Sequence, residues 1–242
     1  MITILKKEIN EFLDSLIAYV VIGIFLIGIG LLMWVFPDTN VLDYGYASME
    51  TLFSLAPYVF MFLIPAITMK AFAEEKRSGT IELLYTLPFR DIEIVIGKFF
   101  AGFLLVVFSI LPTLVYYFSI SYLGNPVGNL DTAGITGSYI GLILLGGIFT
   151  SIGILSSALT GNQIVSFILA AFLCFAFYAG FDSIASINIW SETSYVISQI
   201  GILSHYETLS KGLIDVSDVV YFLSMIVLFL YVTRIVLNVQ KG

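Results

Sequence analysis

The chain has 242 residues, of which 59% are hydrophobic and 11% charged, with a formal net charge of −7 and a mean hydropathy of +1.03. A soluble domain carries about a quarter charged residues, so the composition excludes a soluble packed core and points to an integral membrane protein with room for about six helical spans. A single cysteine, Cys174, excludes an intrachain disulfide.

The first element is an amphipathic helix. Ile4, Leu5, Ile9, Phe12, Leu13 and Leu16 share one helical face, and Lys6, Lys7, Asn10, Glu11 and Asp14 occupy the rest. This pattern predicts an N-terminal elbow lying along the inner leaflet. The apolar run that follows, 16–36, carries no charge over 21 residues. A signal peptide has an apolar region of only about 7–15 residues, so the run reads as a retained span. Five further spans follow at 52–69, 99–122, 139–159, 164–184 and 219–237. Backbone groups in hydrocarbon must bond internally, so all six are expected to be helices. Pro57 and Pro65 bracket the second and Pro112 interrupts the third, which predicts kinks. The fourth carries Gly137-xxx-Gly141, Gly147-xxx-Ser151 and Gly153-xxx-Ser157, a spacing that lets helices approach closely within one subunit or between two. Asn162 and Gln163 make the turn into the fifth. Arg234, near the end of the sixth, can snorkel to the headgroups.

Orientation follows from the lysines and arginines. An even number of spans puts both termini on one side, together with the connection 74–98 and the turn 160–163. Lys6, Lys7, Lys70, Lys76, Arg77, Arg90, Lys98, Arg234 and Lys241 lie there, nine of the ten, and Lys211 alone lies opposite. The positive-inside bias makes that side cytoplasmic. The negative charge sits largely in the outer loops and gives no reason to expect a nucleic-acid partner.

The connection EEKRSGTIELLYTLPFRDIEIVIGK, 74–98, holds nine of the 27 charges (10 Lys and Arg plus 17 Asp and Glu). Ser78 and Gly79 can start a helix and Pro88 ends it. Ile81, Leu84 and Tyr85 fall at i, i+3, i+4 and form an apolar face, which Leu87 extends, with Glu82 turned away. A helix of about two turns is not stable alone in water. It needs the membrane surface or a partner protein to dock on, unless the stretch is only a charged loop that fixes topology. The connection 185–218 keeps Ile197, Ile200, Ile202, Leu203, Leu209, Leu213 and Ile214, so it reads as short helices dipping into the outer leaflet or as a cap on the bundle. His205 reads as a polar residue at the outer interface.

The chain has no ATPase of its own. A phosphate-cradling loop needs G-x-x-x-x-G-K-[ST] after a strand, and Gly97-Lys98 is followed by Phe99. With His205 the only histidine, neither a metal site nor a Ser-His-Asp set is expected. The spans carry no carboxylate near mid-bilayer, and Asp182 lies at the outer end of the fifth.

The stretch AFAEEKRSGTIELLYTLPFRDIEIVIGKFFAG, 71–102, resembles the signature of the ABC type-2 transporter permeases. In that family a second span runs into an E-[EK]-[KR]-x-x-G-T-[IL]-E-x-L-L-x-[TS]-P-like pattern, and a Gly-Lys pair begins the third span. Glu74, Glu75, Lys76, Arg77, Gly79, Thr80, Glu82, Leu83, Leu84, Thr86, Pro88, Gly97 and Lys98 match, with Leu87 inserted at the last step. The likeness covers the whole chain. More narrowly, VLDYG at 41–45, FSLAPYVFMFLIPA at 53–66, LGNPVGN at 123–129 and HYETLSKGLIDVSDVVYFLS at 205–224 resemble the gliding motility-associated permease subunits.

The resemblance implies an all-α membrane protein: one ABC type-2 transmembrane domain over 1–242, with six transmembrane helices, an elbow helix, a cytoplasmic coupling helix and outer re-entrant gate helices. It implies residence in the bacterial inner membrane and an export function powered by a separate cytoplasmic ATPase subunit dimer. ATP and Mg would sit on that partner and no cofactor on this chain. A second permease half, the same chain or a different one, would complete the pathway. Ile81, Leu84 and Tyr85 would fill a cleft of the ATPase, with Glu74, Glu75, Lys76, Arg77, Gly79, Thr80 and Glu82 around them. Ile197, Ile200, Leu203, His205 and Tyr206 would belong to the outer gate. The implied alternative is a non-transporting scaffold of a motility or secretion complex. The uniformly apolar spans favour an amphiphilic or lipid-linked cargo over a small ion.

Overall fold

The computed structural model describes residues 2–43, 45–86, 90–186 and 194–241. Among them every regular element is helical. Helix α1 (Ile2–Leu13) meets α2 (Leu16–Trp34) at a bend of 67°. Helix α3 (Glu50–Thr68) leads into two short helices, α4 (Ala73–Ser78) and α5 (Ile81–Thr86). Helix α6 (Asp91–Ile110) passes through a 3-10 turn at Leu111–Thr113 into α7 (Leu114–Leu123). Helix α8 (Thr132–Leu159) is followed by α9 (Gln163–Phe175), a π-helical turn (Ala176–Gly180) and α10 (Phe181–Ala185). Two short helices, α11 (Ser194–Ile200) and α12 (Ile202–Ser210), precede α13 (Val216–Val239). Five helical stretches are long and apolar enough to cross a membrane, or six if the bent α1–α2 pair counts as one.

Two spans start earlier than the hydropathy suggests, because their first turns are polar but capped. The third begins at Asp91, where Glu93 Oε2 accepts from the Arg90 amide at 3.0 Å. Lys98 is therefore inside a helix and not in a loop. The fourth begins at Thr132, with Asp131 Oδ1 accepting from the Gly134 amide at 3.0 Å. Pro57 and Pro65 are both contained within α3. At Pro112 the helix tightens into its 3-10 turn. The π-helical turn in the fifth span has no counterpart in the sequence reading.

Helix α8 is the axis of the bundle. Its apolar window is 83% buried, against 22% for the windows of the fifth and sixth spans. Several of its hydroxyls bond its own carbonyls, Thr150 Oγ1 to Gly146 O at 2.7 Å and Ser156 Oγ to Ile152 O at 2.9 Å, so these enter the core with a partner. Leu142, Leu145, Ile148 and Phe149 are fully buried among Phe25, Leu52, Phe60 and Phe222. The small-residue spacing serves this intrachain packing. A Cβ on Gly153 would overlap the Thr68 side chain of α3, and one on Gly137 would overlap the Leu209 carbonyl of α12. Overpacking a filled core costs about 1–3 kcal/mol. Gly153→Ala should therefore lower thermal stability in detergent by that order, and adding Thr68→Ala should restore part of it.

Candidate functional site at the charged end

The charged connection folds onto the end of α8. Helix α3 stops at Thr68, and the chain restarts as α4 at Ala73. The break exposes backbone donors, and one side chain collects them. The Phe72 and Ala73 amides donate to Ser157 Oγ at 2.9 and 3.0 Å, and that hydroxyl donates to Met69 O at 3.0 Å. Gly79, at φ 73°, then ends α4 in the left-handed conformation. The helix expected to start at Ser78 or Gly79 is thus split: those residues close α4, and α5 begins at Ile81.

Behind α4 lies a buried ionic cluster. Lys98 Nζ of α6 is 2.7 Å from Glu8 Oε1 of α1 and 2.9 Å from Glu75 Oε1 of α4. It also sits 5.1 Å from the centroid of the Phe72 ring. The Lys98 and Glu8 side chains are 1% and 7% exposed. Lys7 joins from the rim, 3.3 Å from Glu75 Oε1 and 3.6 Å from Glu8 Oε1. Glu11 pairs with Lys7 at 3.7 Å, so two lysines face three carboxylates, and the buried Lys98 is flanked by two of them. Burial works to lower the Lys7 pKa, but the carboxylates of Glu8, Glu75 and Glu11 outweigh it and hold the ammonium above its ordinary value.

A second set of bonds ties α4 to the C-terminal ends of α8 and α13. Lys76 Nζ donates to the Ala158 carbonyl, which also accepts from Gln240 Nε2 at 3.3 Å. Lys241 pairs with Asp91 at the start of α6.

These contacts sort the residues expected at a coupling helix. Glu75 and Lys76 spend their charges inside the chain. Glu74, Arg77, Gly79, Thr80 and Glu82 are exposed, as is Leu83, while Ile81 is half-buried. The side chains of Leu84 and Tyr85, and residues 87–89, lie outside the described residues. Glu8 was missed by the sequence reading. The elbow turns Ile4 and Glu8 inward and leaves Leu13 and Leu16 exposed. The signal was present: Glu8 sits four residues after Ile4 and four before Phe12, an acid within an apolar stripe.

At the other end of α8, α12 is anchored by Ile202 and Leu209, both fully buried, and by Tyr206, whose hydroxyl donates to Phe53 O at 2.7 Å. His205 is buried as well. Its Nδ1 lies 2.6 Å from Asp218 Oδ1 of α13 and its Nε2 3.0 Å from Gln199 O of α11. Both ring nitrogens thus face oxygens of neighbouring helices. The ring stacks on Tyr221 at 3.9 Å between centroids. Of the residues expected at an outer gate, His205 and Tyr206 meet the bundle, Ile197 and Leu203 are half-buried, and Ile200 faces outward.

The sequence matches the family described as ABC-2 family transporter protein over residues 2–239. The chain belongs to the ABC-2 transporter family. Comparison with curated proteins returns no match. An ABC-2 protein is the membrane subunit of a transporter and typically works with an ATPase subunit. In this ABC-2 protein α1, α4 and α6 converge on one lysine, next to the segment α5. Removing one partner of a buried ion pair costs about 3–5 kcal/mol. Lys98→Met should therefore destabilise the protein by that order in chemical unfolding, and Glu8→Gln in the Lys98→Met background should recover part of the loss. For the same reason His205→Leu should cost about 3 kcal/mol by leaving Asp218 buried and unpaired. The double variant with Asp218→Asn should lose less than the two single variants summed.

Proposed function

We propose that this ABC-2 protein is the permease subunit of an exporter in the bacterial inner membrane, with both termini and the α4–α5 end in the cytoplasm. A dimer of separate ATPase subunits, carrying the ATP and Mg, docks on α5. A second permease half, identical or different, completes the pathway. The observation that carries the reading is the combination of the family match with a short helix whose exposed flank follows a rigidly anchored one. Helix α4 is held by Ser157, Lys98 and the Ala158 carbonyl. Leu83 in α5 is 67% exposed. A rigid mount carrying an open docking surface is what transmission of force from a partner requires.

In this reading Ile81, Leu84 and Tyr85 enter the ATPase cleft. Glu74, Arg77, Thr80 and Glu82 form the polar rim, and Glu75 and Lys76 hold the mount from behind. The α11–α12 cap is the outer gate, with Ile197, Ile200, Leu203, His205 and Tyr206. The segments that resemble gliding motility-associated permeases favour a place in a motility or secretion machine. A scaffold that moves no solute is the second reading they support.

The test is ATPase recovery with the purified protein and stimulated ATP turnover. Truncating an interface anchor costs about 2 kcal/mol, roughly 30-fold in affinity. Leu84→Ala and Tyr85→Ala should each weaken ATPase association by that order, while Glu82→Gln should mainly change its salt dependence. Wild-type recovery and turnover in both truncations would refute the docking role. Turnover that no solute stimulates would favour the scaffold.

A further inference from the structure

The α12 end of the bundle holds a cavity of about 540 Å³ between α3, α8, α12 and the π-helical turn. Its volume is within the usual range for small-molecule sites, about 300–1,000 Å³. Three features define its chemistry. First, the wall is aromatic. Tyr178 lies 5.8 Å from Tyr58 and 6.2 Å from Tyr206 between ring centroids, both in edge-on geometry, and Phe53 lines the same space. Second, Tyr178 is 2% exposed and its side chain forms part of the cavity wall. The π-helical turn, Ala176–Gly180, places this ring in the cavity wall, and π turns often mark functional positions. Third, the mouth is acidic. Glu50, Asp131 and Glu207 line it with Lys211, a formal net of −2 (three carboxylates, one ammonium). Glu207 lies 4.0 Å from Lys211 and Asp131 caps α8, which leaves Glu50 as the carboxylate with no cationic partner among the described residues.

An anion is disfavoured by that mouth. A bare metal ion is disfavoured too, because among the described residues no group of three or more Asp, Glu, His or Cys converges. Aromatic faces attract a cation that carries its own apolar shell, and acidic surroundings raise its local concentration. We propose that this cavity binds an organic cation with an apolar body, a quaternary or tertiary amine bearing a group that packs against the Tyr178 ring. The cationic head lies among the tyrosine rings, and Glu50 and Glu207 draw it in. The site is contained in one chain and needs neither an ATPase nor a second permease half, so it stands apart from the docking role of α5.

The experiment is calorimetric titration of the full chain in lipid nanodiscs with three probes of one body size: benzyltrimethylammonium, benzyl alcohol and benzenesulfonate. The cation should bind saturably, one per chain, and at least tenfold tighter than the other two. Tyr58→Leu should weaken it about tenfold, and Glu50→Gln with Glu207→Gln about fivefold. Those carboxylates are exposed, so their removal leaves folding intact; an unchanged melting temperature checks this for all variants. Equal affinity for the three probes would overturn the assignment. Cation binding unchanged by Tyr58→Leu and by the double carboxylate variant would overturn it as well.

Discussion

A polar group buried in this bundle is costly unless it finds a partner in the chain. The architecture can be read as a set of answers to that demand. Where α3 breaks, two amides turn to Ser157. Where charge enters the interior, Lys98 is met by Glu8 and Glu75. Where an imidazole is buried, Asp218 and the Gln199 carbonyl close on it. In the first two cases a partner comes from a distant part of the chain: 85 residues separate Phe72 from Ser157, and 90 separate Glu8 from Lys98. The bonds that satisfy the backbone and side chains are also the bonds that fix the order of the helices.

The two ends of α8 use different devices. At one end charge does the work: α1, α4 and α6 are joined by ions and α4 is tied to α8 and α13 through one carbonyl. At the other end a short helix is pressed onto the glycine face of α8, where the absence of a Cβ at Gly137 lets the Leu209 backbone come close. Burying ions of both signs gives a joint that is strong against separation and sensitive to the loss of any one member. Apolar packing against glycine gives a joint that tolerates no added volume.

Much of this was legible in the sequence. The apolar runs gave the spans, because hydrocarbon thickness sets their length. The α1 element was visible in its periodicity, and the short helices between the fifth and sixth spans in their apolar content. What was not legible depended on three-dimensional partnership. Hydropathy begins the third span at Phe99, past its charges, and so leaves Lys98 at the end of the connection, although a capped helix from Asp91 with two waiting carboxylates carries it inward. Gly79 was read as a helix start; its positive φ makes it a stop. Glu8 shows in the sequence as an acid within an apolar stripe, but its partner Lys98, 90 residues on, does not. The π-helical turn at Ala176–Gly180 leaves no trace in composition at all.

The dependence of α3 and α4 on Ser157 bears on how the chain is assembled. Residues 69–73 precede the hydroxyl that receives their freed amides by a whole pair of helices. The corner between α3 and α4 is therefore set by the fourth long helix to enter the bundle. A chain that stops before residue 157 lacks the hydroxyl that the Phe72 and Ala73 amides use, although it contains the first three long helices.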